Sequence, residues 1–295
     1  MRRLTGISRL QLLMSAVLVV VIAASGRADE PAHRIASLGG GITEIVYALG
    51  EEHRLVARDT TSNHPQPALD LPNVGYIRAL SAEGILSVNP DLIIAKEGAG
   101  PLETVELLES ASIPIVWVPD GFTKDAVLEK IKVVANALGV PTKGDQLVTD
   151  VSEKIDAAVQ ATNAVQATNT DHQPNVLFIL SMTGGRIMAA GSQTSADGII
   201  TLAGGTNATS VFEGWKPLTD EAVISSQPDV ILLMAREGDA AITDEQLFSH
   251  PAIAATPAGQ NRAVVRLDGM LMTGFSVRTA EAIEKLSAAL KETGS

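Results

Sequence analysis

The 295-residue sequence contains no cysteine. It therefore excludes disulfides, thiolate metal sites, iron–sulfur clusters, cysteine nucleophiles and a lipid-modified N-terminal cysteine. Aromatic residues are also scarce, with two Trp, two Tyr and five Phe, which leaves little for a sugar-stacking platform. The sequence has no Gly-x-Ser-x-Gly, no His-Glu-x-x-His and no phosphate loop. We expect a protein without catalytic activity of its own.

Basic side chains are outnumbered by acidic ones. The sequence has 22 Lys and Arg against 34 Asp and Glu, and its formal net charge is −12. The basic residues form no stripe along the chain. Because neutralising phosphates requires clustered Lys and Arg, this charge pattern excludes nucleic-acid recognition.

Residues 1–28 have the composition of a secretory signal. Three arginines precede an apolar run, Leu10–Ala24, and small residues lead to a cleavage site near Ala28. The run is short for a bilayer span, so an uncleaved membrane anchor is the weaker interpretation. The sequence therefore predicts a soluble, acidic protein of the periplasm that has no lipid anchor.

Short β-branched runs alternate with amphipathic stretches along the rest of the chain. This alternation predicts an α/β fold with central parallel sheets. The predicted strands are Arg34–Leu38, Leu92–Ala95, Ile115–Val118, Asn175–Ser181, Val230–Leu233 and Ala263–Leu267. The predicted helices are Ile42–Leu49, Leu102–Leu108, Lys124–Leu138 and a closing helix from about Val277 to Leu290.

One long amphipathic helix is predicted between the two sets of strands. Apolar residues recur at steps of three and four within Pro141–Thr168. About 24 helical residues span roughly 36 Å, enough to cross from one domain to another. We therefore expect an N-terminal α/β lobe over 29–140, an interdomain helix and linker over 141–170, and a C-terminal α/β lobe over 171–295. The two Rossmann-like lobes are expected to move little relative to each other and to enclose a ligand cleft.

An internal repeat supports two related lobes. Leu80–Ile94 matches Leu218–Leu232 at a constant offset of 138, with six of fifteen positions identical. A Pro-Asp pair closes the predicted helix before a strand in both copies. The two lobes are therefore expected to share one supersecondary plan.

The repeat begins with a predicted short helix in each lobe. Ser81 and Thr219 are suited to cap these helices, and Glu83 and Glu221 fall in the positive first turn. Complementing the helix dipole is the structural explanation for the two glutamates.

Three glycines follow the first predicted strand. Gly39–Gly41 resembles a dinucleotide-binding turn only loosely, because it lacks that motif's spacing. A tight turn into a helix capped by Thr43 is the favoured interpretation.

Tyr76 lies in a Pro- and Gly-broken loop, Leu71–Arg78, that leads into the first repeat helix. Its spacing from Arg78 places both side chains on one side of an extended stretch. A neighbouring guanidinium and a bound cation both favour the phenolate, a hard anionic ligand suited to ferric iron. The alternative is an exposed loop tyrosine. Tyr47, by contrast, lies within a predicted helix and is expected in the core.

Four segments carry a resemblance to a known family. The sequence resembles the haemin-binding periplasmic protein of bacterial haem ABC importers over essentially the whole mature chain, and more broadly the helix-linked class III substrate-binding proteins that also serve siderophores and cobalamin. The segments are Arg34–Gly50, Val74–Ser81, Gly204–Ala208 and Gly214–Leu218.

The resemblance implies a site and partners. It implies ferric haem b as the transported ligand, with Tyr76 as the axial iron ligand and Arg78 hydrogen-bonded to the phenolate. It also implies that Glu83 and Glu221 pair with arginines of an inner-membrane ABC permease and its ATPase, with an outer-membrane haem receptor upstream. The protein is expected to be a monomer.

The second lobe departs from part of the family pattern. Some members add a second-lobe histidine as a haem ligand, whereas Met182–Arg186 contains none, which puts a Tyr/His site or a second haem in doubt. Met182 is expected to pack on the porphyrin face. Arg186, Lys216 and Arg278 are candidates to pair with the propionates.

Two other functions remain open at this point. The same fold could bind a ferric siderophore or cobalamin instead of haem. A more distant alternative is an exported α/β enzyme that modifies haem.

Overall fold

The computed structural model describes residues 32–166, 173–236, 238 and 241–293. The predicted signal peptide, and the end of the predicted linker at 167–170, lie outside these ranges. Within them, no helix combines the length and the apolar character needed to cross a bilayer.

The first lobe is built on a four-stranded parallel sheet with the strand order β2-β1-β5-β6. Its strands are β1 (Ile35–Leu38), β2 (Leu55–Arg58), β3 (Gly75–Tyr76), β4 (Ala79–Leu80), β5 (Leu92–Lys96) and β6 (Ile115–Val118), of which β3 and β4 form a separate hairpin. Its helices are α1 (Gly40–Ala48), α2 (Ala82–Ser87), α3 (Leu102–Ser110) and α4 (Lys124–Ala137).

A single 26-residue helix, α5 (Pro141–Gln166), leads to the second lobe. At 1.5 Å per residue it is about 39 Å long, which confirms the predicted connecting helix. Its first turn is held to the first lobe by Lys143, whose Nζ lies 2.6 Å from the Glu51 carboxylate and 3.1 Å from the Leu49 carbonyl.

The second lobe has a mixed sheet with the order β10-β8-β7-β11-β12, and β9 pairs with β7. The strands are β7 (Asn175–Thr183), β8 (Arg186–Ala190), β9 (Thr206–Asn207), β10 (Trp215–Leu218), β11 (Val230–Ala235) and β12 (Val264–Asp268). The helices are α6 (Ser195–Leu202), α7 (Asp220–Ser226), α8 (Asp244–Ser249), α9 (Pro251–Ala254), α10 (Pro257–Gln260), α11 (Gly269–Thr273) and α12 (Thr279–Thr293).

The second sheet differs from the first at one edge. β7, β9, β11 and β12 are parallel, as predicted, but β8 runs antiparallel to β7 and to β10. The physical cause is the two-residue turn at Gly184 and Gly185, whose φ angles of +61° and +77° suit a tight hairpin. The hairpin extends β7 beyond the carboxyl end of the sheet.

Both faces of β7 are buried, which explains its continuous apolar sequence. Val176 and Phe178 pack in the cluster that includes α5, α6 and α12. Leu177 and Ile179 point to the opposite face and pack in a second cluster with α7, α8 and α9. The core of this lobe therefore lies on both sides of the sheet.

The repeat is confirmed as a structural unit. The Ser81 hydroxyl accepts a hydrogen bond from the Gly84 N–H at 3.0 Å, and the Thr219 hydroxyl accepts one from Ala222 at 3.2 Å. Both residues therefore cap their helices as predicted.

The Pro-Asp pair at the end of each repeat also has the same role in both lobes. The Asp91 carboxylate accepts hydrogen bonds from the backbone N–H groups of His33 and Arg34 at 2.8 and 2.9 Å. The Asp229 carboxylate accepts one from Asn175 at 2.8 Å. Each aspartate thus ties the end of the repeat helix to the first strand of its own lobe.

The predicted cap of α1 is wrong. The helix begins at Gly40 after Gly39, whose φ is +131°, and Thr43 lies inside the first turn. The Thr43 hydroxyl is fully buried and hydrogen-bonds the hydroxyls of Ser37 and Ser62, each at 2.7 Å. Its side chain is therefore used for packing between strand and loop and not for capping.

Candidate ligand-binding cleft

The carboxyl ends of the two sheets face each other. Gly40 and Gly41 follow β1, and a Cβ on Gly40 would lie 2.5 Å from Met270 Cε, while one on Gly41 would lie 2.6 Å from the Gly274 carbonyl oxygen. Both of those partners follow β12 in the second lobe. The glycines therefore allow helix α1 to approach the other lobe closely, and this contact joins the two lobes.

Tyr76 is placed by a hairpin that the sequence pattern did not reveal. β3 pairs with β4 so that Tyr76 lies opposite Ala79. The Gly75 carbonyl accepts a hydrogen bond from Thr60 at 2.8 Å, and the Ile77 carbonyl accepts one from Gly100 at 2.9 Å. Because Ile77 is also buried, the backbone on both sides of Tyr76 is fixed to loops that follow β2 and β5.

The Tyr76 side chain is available for a ligand. It is 49% exposed, and its hydroxyl has no hydrogen-bond partner in the part of the chain that the structure describes. A phenol held by a fixed backbone and free at its oxygen is a preorganised donor, because ligand binding breaks no existing bond.

Arg78 lies in the turn of the same hairpin. The expected extended stretch from Tyr76 to Arg78 is wrong, because Ile77 and Arg78 form the turn between the two strands. Arg78 is exposed and makes no ion pair among the described residues. Tyr76 and Arg78 therefore belong to the same hairpin, but Tyr76 lies in a strand and Arg78 in the turn.

The second lobe presents two further cations. Lys216 on β10 is exposed and its Nζ lies 5.3 Å from the centroid of the Phe212 ring. At the repeat offset of 138, Lys216 corresponds to Arg78, so each lobe places a cation three residues before its capping residue. Arg186 is exposed beside the turn of the β7–β8 hairpin. Neither Lys216 nor Arg186 is in an ion pair within the described ranges.

Arg278 has a different partner from the one expected. It forms an ion pair with Glu44 of α1, and Ser276 hydrogen-bonds the same carboxylate. Glu44 is only 3% exposed. Burial alone would lower the pKa of Arg278, but the hydrogen bond and charge of Glu44 raise it above its ordinary value. Arg278 is therefore already neutralised between the lobes.

Lys130 makes a second contact between the lobes. Its side chain, on α4, is 2% exposed, and its Nζ donates to the Phe275 carbonyl at 3.0 Å. Burial lowers the pKa of Lys130 to about 8, although the carboxylates of Asp120 and Glu44 oppose the shift. The pair of Phe122 and Phe275, with ring centroids 5.5 Å apart, lies in the same contact.

Sequence reasoning missed Glu44 and Lys130 as contact residues between the lobes. The available signal was their position: each is a charged residue on the apolar face of an amphipathic helix, as Lys130 is between Val127 and Val134. A charge at such a position requires a buried partner.

Met182 packs within its own lobe. The ladder between β7 and β8 shifts register between Ile179 and Ser181, and this bulge places Met182 against the cluster that contains Leu177 and Ile179. The thioether is partly buried there and contributes to the core.

Glu83 and Glu221 occupy matching positions. Both lie in the first turn of their repeat helices, both are exposed, and neither has an ion-pair partner among the described residues. Hydrogen bonds from its own backbone N–H and from the Thr219 hydroxyl lower the pKa of Glu221. Each lobe thus presents a carboxylate side chain to solvent at the same point of the repeat.

A family model described as periplasmic binding protein matches residues 35–271. Among curated proteins, the chain is similar to a Vitamin B12-binding protein of Vibrio parahaemolyticus, with 26% identity over 205 residues, 69% of this chain and 71% of that protein.

Two solved structures are similar over most of the chain. The periplasmic heme-binding protein RhuT from Roseiflexus sp. RS-1, in apo form, is 37% identical with a TM-score of 0.83, over 90% of this chain and all of that one. The periplasmic heme-binding protein BhuT, in complex with two hemes, is 36% identical with a TM-score of 0.83, over 89% of this chain and 99% of that one.

Proposed function

The chain belongs to the periplasmic binding protein family, and we propose that it captures ferric haem in the cleft between its lobes for delivery to an inner-membrane permease. The chain is the substrate-binding protein of an ABC importer and not an enzyme. The single observation that favours haem is Tyr76, an exposed phenol on a fixed hairpin, whose hydroxyl has no hydrogen-bond partner among the described residues.

Tyr76 is the proposed axial ligand of the haem iron. An anionic phenolate oxygen is a hard donor that prefers ferric to ferrous iron. Arg78 lies two residues away in the hairpin turn, and its guanidinium is the proposed hydrogen-bond donor to the iron-bound phenolate oxygen.

Propionate binding is assigned to cations that have no partner of opposite charge. Lys216 and Arg186 meet this condition among the described residues, whereas Arg278 is neutralised by Glu44. A carboxylate that enters a partly dry cleft is stabilised by such a cation. Arg278 is therefore proposed to hold the lobes together rather than to bind a propionate, and Met182 to support the sheet from its core side.

The similarity to RhuT and BhuT, both of them periplasmic heme-binding proteins, supports this ligand. Cobalamin, carried by a relative named a Vitamin B12-binding protein, and ferric siderophores are the rival ligands on the same fold. We favour haem because a tyrosine phenolate, here proposed to be that of Tyr76, is a suitable ligand for ferric iron.

Difference spectroscopy with haemin, cobalamin and a ferric siderophore separates these ligands. Haemin should give a shifted Soret band, and Tyr76→Phe should remove the phenolate-to-iron absorption and weaken haemin binding severely. Tyr47→Phe is the matched control, because Tyr47 is the other tyrosine and packs against the core of the first lobe. An unchanged titration for Tyr76→Phe, or saturation by cobalamin alone, would overturn the assignment.

Docking to the permease is proposed to use Glu83 and Glu221. The two carboxylates repeat at one offset, are exposed and lack an intramolecular cation in the described residues. Glu83→Gln combined with Glu221→Gln should leave haemin binding unchanged and lower stimulation of the transporter's ATPase. Normal ATPase stimulation by the double variant would show that both glutamates only stabilise the N-termini of their helices.

A further inference from the structure

Exposed large apolar side chains are few among the described residues, and two of them occupy the same place in the repeat. Among the described residues they are Leu69, Tyr76, Leu86, Leu102, Leu107, Val211 and Ile224. Leu86 and Ile224 are separated by the repeat offset of 138, and each lies three residues after the exposed glutamate of its helix. Their exposures are also alike, 40% and 38%.

The three-residue spacing places the glutamate and the aliphatic side chain on the same face of each helix. Residues three apart on a helix are surface neighbours, so Glu83 adjoins Leu86 and Glu221 adjoins Ile224. The core contact of each helix is made by the preceding residue, Ile85 in α2 and Val223 in α7, both completely buried. The folding of the lobe therefore does not require Leu86 or Ile224, because the buried residue beside each one already secures the helix.

In the first lobe the apolar surface continues onto the next helix. Glu83 and Leu86 line a groove between α2 and α3 together with Leu107 and small Ala and Ser side chains. Leu107 is 56% exposed. The carboxylate thus stands at the edge of an apolar groove and not on a uniformly polar surface.

We propose that each lobe recognises the permease through a composite surface: Glu83 with Leu86 and Leu107 in the first lobe, and Glu221 with Ile224 in the second. The occupant is a permease surface on which a Lys or Arg is flanked by an apolar side chain. This proposal rests on the docking role given above to the two glutamates.

Charge and exposure favour that occupant. A cationic partner complements the unpaired carboxylate, and an apolar neighbour covers the leucine or isoleucine that is otherwise in water. Apolar contacts around an ion pair exclude water and so strengthen it, which is the arrangement found around binding hot spots. Because the two lobes repeat the surface, the partner is expected to present the same feature twice.

The test uses the full mature protein and the source cell's haem permease in lipid nanodiscs. Leu86→Gln and Ile224→Gln should each weaken binding to the permease about tenfold, while haemin titration stays as in the wild type. Glutamine keeps helix propensity close to that of leucine. Leu69→Gln is the matched control, since Leu69 has the same side chain and 39% exposure and lies outside the repeat; it should bind as the wild type does.

Salt dependence separates the two parts of the surface. Glu83→Gln should flatten the dependence of the dissociation constant on ionic strength, whereas Leu86→Gln should weaken binding and leave that dependence intact. Wild-type affinity in both Leu86→Gln and Ile224→Gln, or an equal loss in Leu69→Gln, would overturn the proposal. Concentration-dependent dimers that Leu86→Gln abolishes would overturn it too, by showing that a second copy covers the surface.

Failure of the haem assignment is distinguishable from failure of this proposal. A wild-type protein that gives no Soret shift but binds the permease, with the losses above, would reject haem and retain the composite surface.

Discussion

Glu44 on the first helix of one lobe and Arg278 before the last helix of the other form an ion pair between the lobes, in which the carboxylate is buried and the guanidinium is partly buried. The Ser276 hydroxyl completes the site by bonding the same carboxylate. Breaking one partner of such a pair leaves an uncompensated charge in a dry environment. The contact therefore joins the two lobes and gives Arg278 a counter-charge within the protein.

Glu44→Gln should destabilise the protein strongly. It leaves the partly buried Arg278 guanidinium without its counter-charge, at a cost of about 1–3 kcal/mol in the free energy of unfolding. Urea denaturation followed by circular dichroism measures the change. Glu284→Gln, an exposed residue of the last helix without an ion pair among the described residues, should stay within about 0.5 kcal/mol of the wild type. A comparable stability for both variants would show that the pair contributes nothing.

Lys130→Met should change how stability depends on pH. The folded pKa of about 8 lies below the ordinary value of 10.5, so between these pH values the unfolded chain holds more proton. The free energy of unfolding of the wild type therefore gains a term that rises with pH across this window. Without Lys130 the slope between pH 8 and 10 should fall by up to about 1.4 kcal/mol per pH unit.

Lys132→Met provides the control for that slope, because Lys132 lies exposed on the same helix. Its profile should follow that of the wild type. Parallel profiles for Lys130→Met and the wild type would mean that Lys130 titrates normally in the folded protein.

Reduction should weaken haem binding if Tyr76 ligates the iron. Phenolate favours ferric iron, so dithionite under anaerobic conditions is expected to raise the dissociation constant of the wild type by at least about tenfold. Tyr76→Phe should bind both oxidation states with similar, low affinity. Equal wild-type affinity for ferric and ferrous haem would contradict phenolate ligation.

Arg186→Gln and Lys216→Gln should each reduce haemin affinity by about tenfold, because a charge-assisted hydrogen bond between an exposed cation and a propionate contributes about 1.5 kcal/mol. Haemin dimethyl ester carries no propionate charge and serves as the matched ligand. The variants should bind the ester as the wild type does. Equal losses for haemin and its ester would assign both cations a role in packing.

Much of the fold was predictable because its signals are local. The strand Ile115–Val118 matches its predicted boundaries, and the helix from Lys124 ends one residue before the predicted end. The repeat is equally local, since the capping residues, Ser81 and Thr219, contact groups within three residues. Apolar periodicity and capping need only a few neighbouring residues, so a sequence reports them directly.

The candidate site was predictable only in part. The two glutamates lie in the first turns of their helices as expected, and Tyr76 is exposed, but the extended stretch from Tyr76 to Arg78 is a hairpin turn. Short two-residue strands carry no periodicity from which to predict them. The β-bulge between Ile179 and Ser181 turns the Met182 side chain toward the cluster that contains Leu177 and Ile179, because a shift of one residue moves a side chain to the other face of a sheet.

The sequence alone establishes that the protein is acidic and has no cysteine, and it contains the duplicated unit. It also predicts export and most of the strands and helices. Tertiary structure decided which charges are paired. Arg278 and Glu44 are 234 residues apart in the sequence. A local pattern of apolar and polar residues can indicate that a charged side chain is buried, but it does not identify the residue that pairs with it. The choice of partner depends on how the two lobes meet, because each lobe's own sequence pattern contains no information about the other lobe's surface.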